Sequence, residues 1–157
     1  MRSFDRVIPK PHVTSGPLDP ATARSVIRVR VRFCETDLMG IVHHGSYALY
    51  LEQARVEWLR RRGVFYADWA GRGNHLAVAE LHVRFRAPAR FDEELDVETT
   101  LAHLGAASMR FDYRVTRHPD GALLAEAHTL LACVDDKGAL RRVSPEWIEV
   151  VSRPEAS

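Results

Sequence analysis

Val31-Arg32-Phe33-Cys34-Glu35-Thr36-Asp37-Leu38-Met39-Gly40-Ile41-Val42-His43-His44-Gly45-Ser46-Tyr47 is the stretch on which the reading of this chain turns. A strand-like alternation ends inside it, a short loop follows with a carboxylate and a glycine, and two histidines stand where a helical pattern begins. The first backbone N–H groups of a helix lack intrahelical acceptors and carry partial positive charge, so Asp37 and His44 fall beside donors suited to an oxyanion. An acid, an imidazole and free donors in one turn are the components of acyl transfer. A capping aspartate with two surface histidines is the plainer reading, and residue types alone leave both open.

Upstream, Ile27, Val29, Val31 and Phe33 alternate with Arg28, Arg30 and Arg32, which predicts a half-buried strand over Val26 to Phe33 with a solvated arginine face. Downstream, Tyr47, Leu51, Ala54 and Trp58 form one apolar stripe, with Glu52, Arg55 and Arg60 off it, which predicts a helix from Ser46 to Arg62. Ser46 is the expected cap and Gly63 the expected stop. Val64 to Asn74 reads as a turn-rich connection with one short helical piece, its aromatics Phe65, Tyr66 and Trp69 a satellite cluster or, for Phe65 or Trp69, a pocket wall. Four strand-like runs follow: Ala77 to Arg86, stopped by Pro88; Leu95 to Leu101; Met109 to Val115; and Leu123 to Val134, with turns at Pro119-Asp120-Gly121 and Asp135 to Gly138. Strand, helix and four strands make an α+β meander on one long helix.

The run from Thr36 to Leu59, T-D-x-x-G-I-V-H-H-G-S-Y-x-x-Y-L-E-Q-A-R-x-E-W-L, resembles the signature of hot-dog-fold acyl-CoA thioesterases. It is most similar to the branch of 4-hydroxybenzoyl-CoA thioesterase and the Tol–Pal-associated thioesterases. The likeness continues more weakly through Val83 to Arg90 and on to Ser144-Pro145-Glu146. It implies a hot-dog fold, an antiparallel sheet of about five strands wrapped around one long helix. It also implies a homodimer or homotetramer with the active site between protomers. Asp37 takes the catalytic aspartate position of that pattern and His44 the position seven residues on.

Thioester hydrolysis needs an activated water or nucleophile and a polarised carbonyl. Asp37 supplies the first, as general base or as nucleophile. The helix start at Gly45 and Ser46 supplies the second, with Gly45 admitting substrate close to the backbone. His44 would orient the carbonyl, hold water or protonate the leaving thiolate. His43 is expected to point elsewhere, into packing or solvent. Gly40 is expected to serve the turn. Glu52 is the rival carboxylate, because other hot-dog thioesterases place theirs in mid-helix after a His-Gly pair; here the spacing is one residue short and Ser46 replaces the second glycine. Arg86 and Arg90 are the candidates for the CoA phosphates. No metal or cofactor is expected, since His43 and His44 are adjacent and lack further ligands at metal spacing.

The 157 residues suit one domain: a flexible arm over 1–24 with Pro9, Pro11, Pro17 and Pro20, a hot-dog domain over 25–152 and a tail over 153–157. A net charge of +1 argues against general nucleic-acid or anionic-membrane binding. Two cysteines, Cys34 and Cys133, imply no disulfide framework; both are expected as small buried residues in a cytoplasmic protein. The amino terminus lacks the apolar core of an export signal, and no apolar run approaches the ~20 residues of a membrane span. The expected partners are an acyl-CoA substrate, with acyl carrier protein as the other thioester source, and further copies of the chain. A hot-dog protein that binds acyl-CoA or acyl carrier protein without hydrolysis is the alternative. An RNA-binding domain using Arg28, Arg30 and Arg32 is a third reading, without the aromatic and glycine strand signature of the common RNA-binding sheet.

Overall fold

Alternation sets the sheet. The computed structural model describes residues 23–155. Its strands are β1 (Arg24–Arg30), β2 (His75–Phe85), β3 (Glu94–Leu104), β4 (Ser108–His118) and β5 (Leu123–Val134). They form one antiparallel sheet in the order β1-β3-β4-β5-β2, which leaves β1 and β2 at its edges. On β3 and β4, Leu95, Val97, Thr99, Leu101, Met109, Phe111, Tyr113 and Val115 are all buried on one face, as period two requires.

Helix α1 (Ser46–Arg60) packs on that face against β1 and β3. Its stripe of Tyr47, Leu51, Ala54 and Trp58 is buried, with Trp58 edge-on to Phe111 at 5.2 Å and its indole Nε1 donating to the Ala23 carbonyl at 2.8 Å. The helix ends at Arg60, with Arg61 as its cap, and Gly63 takes a φ of +83° that a side chain would resist. Helix α2 (Tyr66–Ala70) supplies the short helical piece expected in the connection.

Several expectations need correction. Phe33 leaves the strand alternation: Phe33–Glu35 is a 3-10 turn, and Phe33 is 76% exposed against Phe91. Ser46 is the first residue of α1 rather than its cap, which is Gly45; the Ser46 hydroxyl donates to the Glu35 carbonyl instead. Arg55, off the apolar stripe, is nevertheless buried, because the Tyr113 hydroxyl accepts from it at 3.3 Å and in turn pairs with Thr129 at 2.9 Å. The β1 arginines do not form a bare basic face: Arg28 pairs with Asp96 and Arg30 with Glu94, their direct register partners on β3. Cys34 is exposed, while Cys133 is buried and its thiol is pushed up by that burial.

At the termini, the proposed arm lies outside the described residues except at its end, where Ala23 joins the core and Arg24 begins β1. The segment read as a tail is tied back: Glu155 accepts from Ser25 at 3.0 Å and from Arg61 at 2.6 Å. A third helix, α3 (Pro145–Val151), lies beyond the predicted elements and is opened by Ser144-Pro145; the Ser144 hydroxyl accepts from the Trp147 N–H at 3.2 Å.

Candidate active site

The loop between β1 and α1 is held by Glu35, a residue the sequence reading passed over. Its carboxylate accepts from the Arg32 N–H at 2.8 Å, the Arg32 Nε at 2.8 Å and the Tyr50 hydroxyl at 2.7 Å. Its carbonyl accepts from the His43 N–H at 2.8 Å and the Ser46 hydroxyl at 3.1 Å. Burial pushes the Glu35 carboxyl up, but the hydrogen bonds from the Arg32 backbone and Tyr50 outweigh it and hold the group below the usual glutamate range. The same pairing drives the Tyr50 phenol far above its ordinary range, with burial the larger cause. A glutamate at the end of a strand-like run has no motif that marks it; only the fold brings Tyr50 to it.

Asp37 sits two residues on, in a tight turn. Its N–H donates to Ile41 at 2.9 Å, its carbonyl accepts from Gly40 at 2.9 Å and its Oδ1 accepts from the Met39 N–H at 2.8 Å. Gly40 turns the chain with φ +73°, the role expected of it. Asp37 Oδ2 has no protein partner among the described residues and stays available.

His43 and His44 do not diverge: their rings lie 4.0 Å apart, tilted by 31°. The backbone folds into α1 immediately after them, so the rule for extended neighbours does not hold here. His43 Nδ1 accepts from the Gly45 N–H at 3.0 Å, and the His43 carbonyl accepts from the Ser46 N–H at 2.9 Å. The two donors expected to receive an oxyanion are therefore both engaged by His43. The N–H of His44 itself has no acceptor among the described residues.

Asp37 and His44 line one cavity of about 420 Å³, with Met39, Ile41, Tyr47 and Phe85 forming much of its apolar wall. Phe85, from the end of β2, meets Tyr47 edge-on at 5.1 Å; neither was singled out as a site residue, because strand and helix patterning marks both simply as core. Arg86 borders the cavity but pairs with Glu126 at 2.7 Å. Arg90 lies by the Asp37 turn, its guanidinium 3.5 Å from the Gly40 carbonyl. Glu52 is elsewhere: it is exposed in a groove between α1 and β1 with Val26 and Gln53. Among the described residues no three His, Cys, Asp or Glu side chains are grouped as a metal site would need, and no helix is long and apolar enough to cross a membrane.

Comparison with known proteins bears on the family and the fold. The profile of the thioesterase-like superfamily matches residues 31–153. The acyl-CoA thioester hydrolase YbgC of Escherichia coli is 32% identical over 120 residues, 76% of this chain and 89% of that protein. A hypothetical protein from Thermus thermophilus superposes with a TM-score of 0.76 at 45% identity, covering 82% of this chain and 97% of the other. The DHNA-CoA thioesterase of Staphylococcus aureus superposes with a TM-score of 0.78 at 28% identity, covering 82% and 89%. The expected hot-dog architecture, a five-stranded antiparallel sheet on one long helix, is the architecture found.

Proposed function

The chain belongs to the thioesterase-like superfamily and is a thioester hydrolase, and we propose that it cleaves acyl-CoA at the cleft shared by Asp37 and His44. The observation that carries this reading is the half-engaged carboxylate. Asp37 Oδ1 is fixed by the Met39 N–H, which orients Oδ2 toward its task while leaving it without a partner among the described residues. As general base, Oδ2 takes a proton from water while the water oxygen bonds to the thioester carbonyl carbon. The tetrahedral intermediate then breaks its C–S bond, and the thiolate leaves with the proton that Asp37 holds. As nucleophile, Oδ2 bonds to the same carbon, the C–S bond breaks and the CoA thiolate leaves; water then cleaves the resulting mixed anhydride, releasing the acid and restoring the Asp37 carboxylate.

The carbonyl oxygen is received by the free His44 N–H at the start of α1. This shifts the role expected of Gly45 and Ser46, whose own N–H groups are engaged by His43. One well-aimed donor contributes about 3 kcal/mol to such a transition state. The His44 ring borders the same space and positions the carbonyl or the leaving sulfur. Arg90, beside the turn and with no carboxylate on its guanidinium among the described residues, is the better placed of the two arginines for a CoA phosphate.

The active unit is at least a homodimer formed on β2. That strand is an 11-residue edge with Val78, Leu81 and Phe85 exposed, and a long apolar edge is a template for a second strand. Phe85 belongs to both the edge and the cleft, so pairing there would close the site. Leu81→Glu should convert the protein to monomer in sedimentation and lower activity at least about tenfold; an active monomer would contradict a shared site. The free thiols of Cys34 and Cys133 fit a reducing cytoplasm.

Thiol release from a panel of acyl-CoAs and one acyl carrier protein thioester tests the function. Asp37→Asn should lower kcat by ~10²-fold or more at similar KM. Binding of acyl-CoA without turnover by the unaltered protein would favour the non-hydrolytic alternative.

A further inference from the structure

Three of the described Asp, Glu, Lys and Arg side chains are buried: Glu35, Arg55 and Arg62. Glu35 meets Arg32 and the Tyr50 hydroxyl. Arg62 reaches the Ser25 hydroxyl and the Trp58 and Arg24 carbonyls, and its guanidinium lies 3.7 Å over the Trp58 ring. Arg55, 9% exposed, is met far less well. Its Nη1 donates to the Tyr113 hydroxyl at 3.3 Å, which Thr129 also shares at 2.9 Å, and it has no ion pair among the described residues. A charge taken this far out of water is costly unless an opposite charge meets it. Resting on the reading of Asp37 and His44 as the reacting centre, we propose that Arg55 is a specificity-determining residue that receives a carboxylate at the far end of the acyl group.

The free part of the guanidinium has the right shape. Nε and Nη2 of Arg55 carry no hydrogen bond among the described residues, yet unlike the Arg62 Nε neither is closed off from solvent. Those two nitrogens form the fork that takes a carboxylate side-on. Arg28 uses the same pair on Asp96, at 2.8 and 3.2 Å. A single neutral acceptor would fill one prong and leave the charge unmet.

An apolar path joins this fork to the cleft. Helix α1 packs chiefly on β1 and β3, which leaves the inner face of β2 uncovered. On that face Phe85, Val83 and Leu81 stand opposite the buried Ala125, Ala127 and Thr129 of β5, and Phe85 and Leu81 remain about half exposed. Phe85 is in the wall of the Asp37 cleft, and Thr129 shares the Tyr113 hydroxyl with Arg55. From Phe85 to Leu81 the strand advances by about 13 Å, and from Tyr47 to Arg55 the helix advances by about 12 Å. The two rulers agree, and helical side chains lean toward the N-terminus, which brings the guanidinium nearer the cleft. A strip that is apolar along its length and cationic at its end suits a methylene chain closed by a carboxylate. A second copy paired along β2 would roof it. The favoured substrates are then ω-carboxyacyl thioesters of medium length.

Thioethers of CoA are not hydrolysed, so calorimetric titration of the full chain with them reads binding without turnover. S-(ω-carboxyheptyl)-CoA should bind at least about tenfold more tightly than S-octyl-CoA. Its methyl ester, which keeps the length and loses the charge, should fall back to within about threefold of S-octyl-CoA. Arg55→Met should abolish the preference while binding S-octyl-CoA as before. Equal or weaker binding of the carboxylate by the unaltered protein would overturn the proposal, and so would an ester that binds as tightly as the acid. A preference that persists in Arg55→Met would overturn it as well. The ester comparison uses the unaltered protein, so it decides even where Arg55→Met does not fold. A missing preference leaves hydrolysis at Asp37 standing, and failed turnover of acyl-CoA leaves a measured preference standing.

Discussion

Glu35 and Asp37 stand two residues apart on one loop, and their surroundings are opposite. Glu35 is 4% exposed; both its carboxylate oxygens and its carbonyl are occupied by Arg32, Tyr50, His43 and Ser46. Asp37 is half-buried at the edge of a cavity with one oxygen bonded and the other open. The first arrangement fixes where α1 begins relative to β1. The second leaves a reactive oxygen at the place so fixed. A carboxylate saturated by hydrogen bonds organises structure, and one held by a single bond can still do chemistry.

The largest effect expected from this contrast is on stability. Glu35→Ala leaves the Tyr50 hydroxyl and the Arg32 N–H without their acceptor, which should cost roughly 2–4 kcal/mol, read as a lower midpoint in urea. A loss no larger than that of a surface substitution would mean that Glu35 does not organise the loop. The acid side follows from the same residue. Its folded-state pKa lies below its unfolded one, so its contribution is full above the ordinary glutamate range and is lost as pH falls through the depressed value. Glu35→Gln should flatten the decline in stability over that acid window, measured as urea midpoints against pH.

A smaller effect separates the two histidines. His44→Ala should lower kcat/KM by the equivalent of about 1–3 kcal/mol, because the ring borders the cavity. His43→Ala should cost less, since its ring serves the Gly45 N–H from outside that lining. Equal kinetics for the two would remove His44 from the site, and recovery by His44→Phe would show that shape rather than hydrogen bonding is used. The smallest effect belongs to the third carboxylate: Glu52→Gln should change kcat by less than about threefold, and a collapse of activity there would move the chemistry into the helix.

Much of this was legible in the sequence, for physical reasons. Periodicity exposed α1 and the inner face of β3 and β4, because burial on one side forces apolar residues into register. The T-D-x-x-G-I-V-H-H-G run located the turn that the structure places at the cleft. Less legible was anything decided by partners distant in sequence. Arg55 looks solvated until Tyr113 is brought across 58 positions to meet it. Glu35 looks ordinary until Tyr50 arrives. The occupation of the Gly45 N–H by His43 depends on a side-chain rotamer, which no pattern encodes. On β2 the alternation is present, yet Leu81 and Phe85 are exposed, because burial there depends on what lies beyond the sheet edge.

The most direct measurement pairs Asp37→Asn with Glu35→Gln and records turnover and unfolding midpoint for each, with turnover taken at a temperature where both variants are folded. The account predicts that Asp37→Asn keeps a near-normal midpoint and loses ~10²-fold or more in kcat, while Glu35→Gln loses stability and keeps kcat within about threefold. Retained turnover in Asp37→Asn, or its loss only in Glu35→Gln, would contradict the division of labour between the two carboxylates.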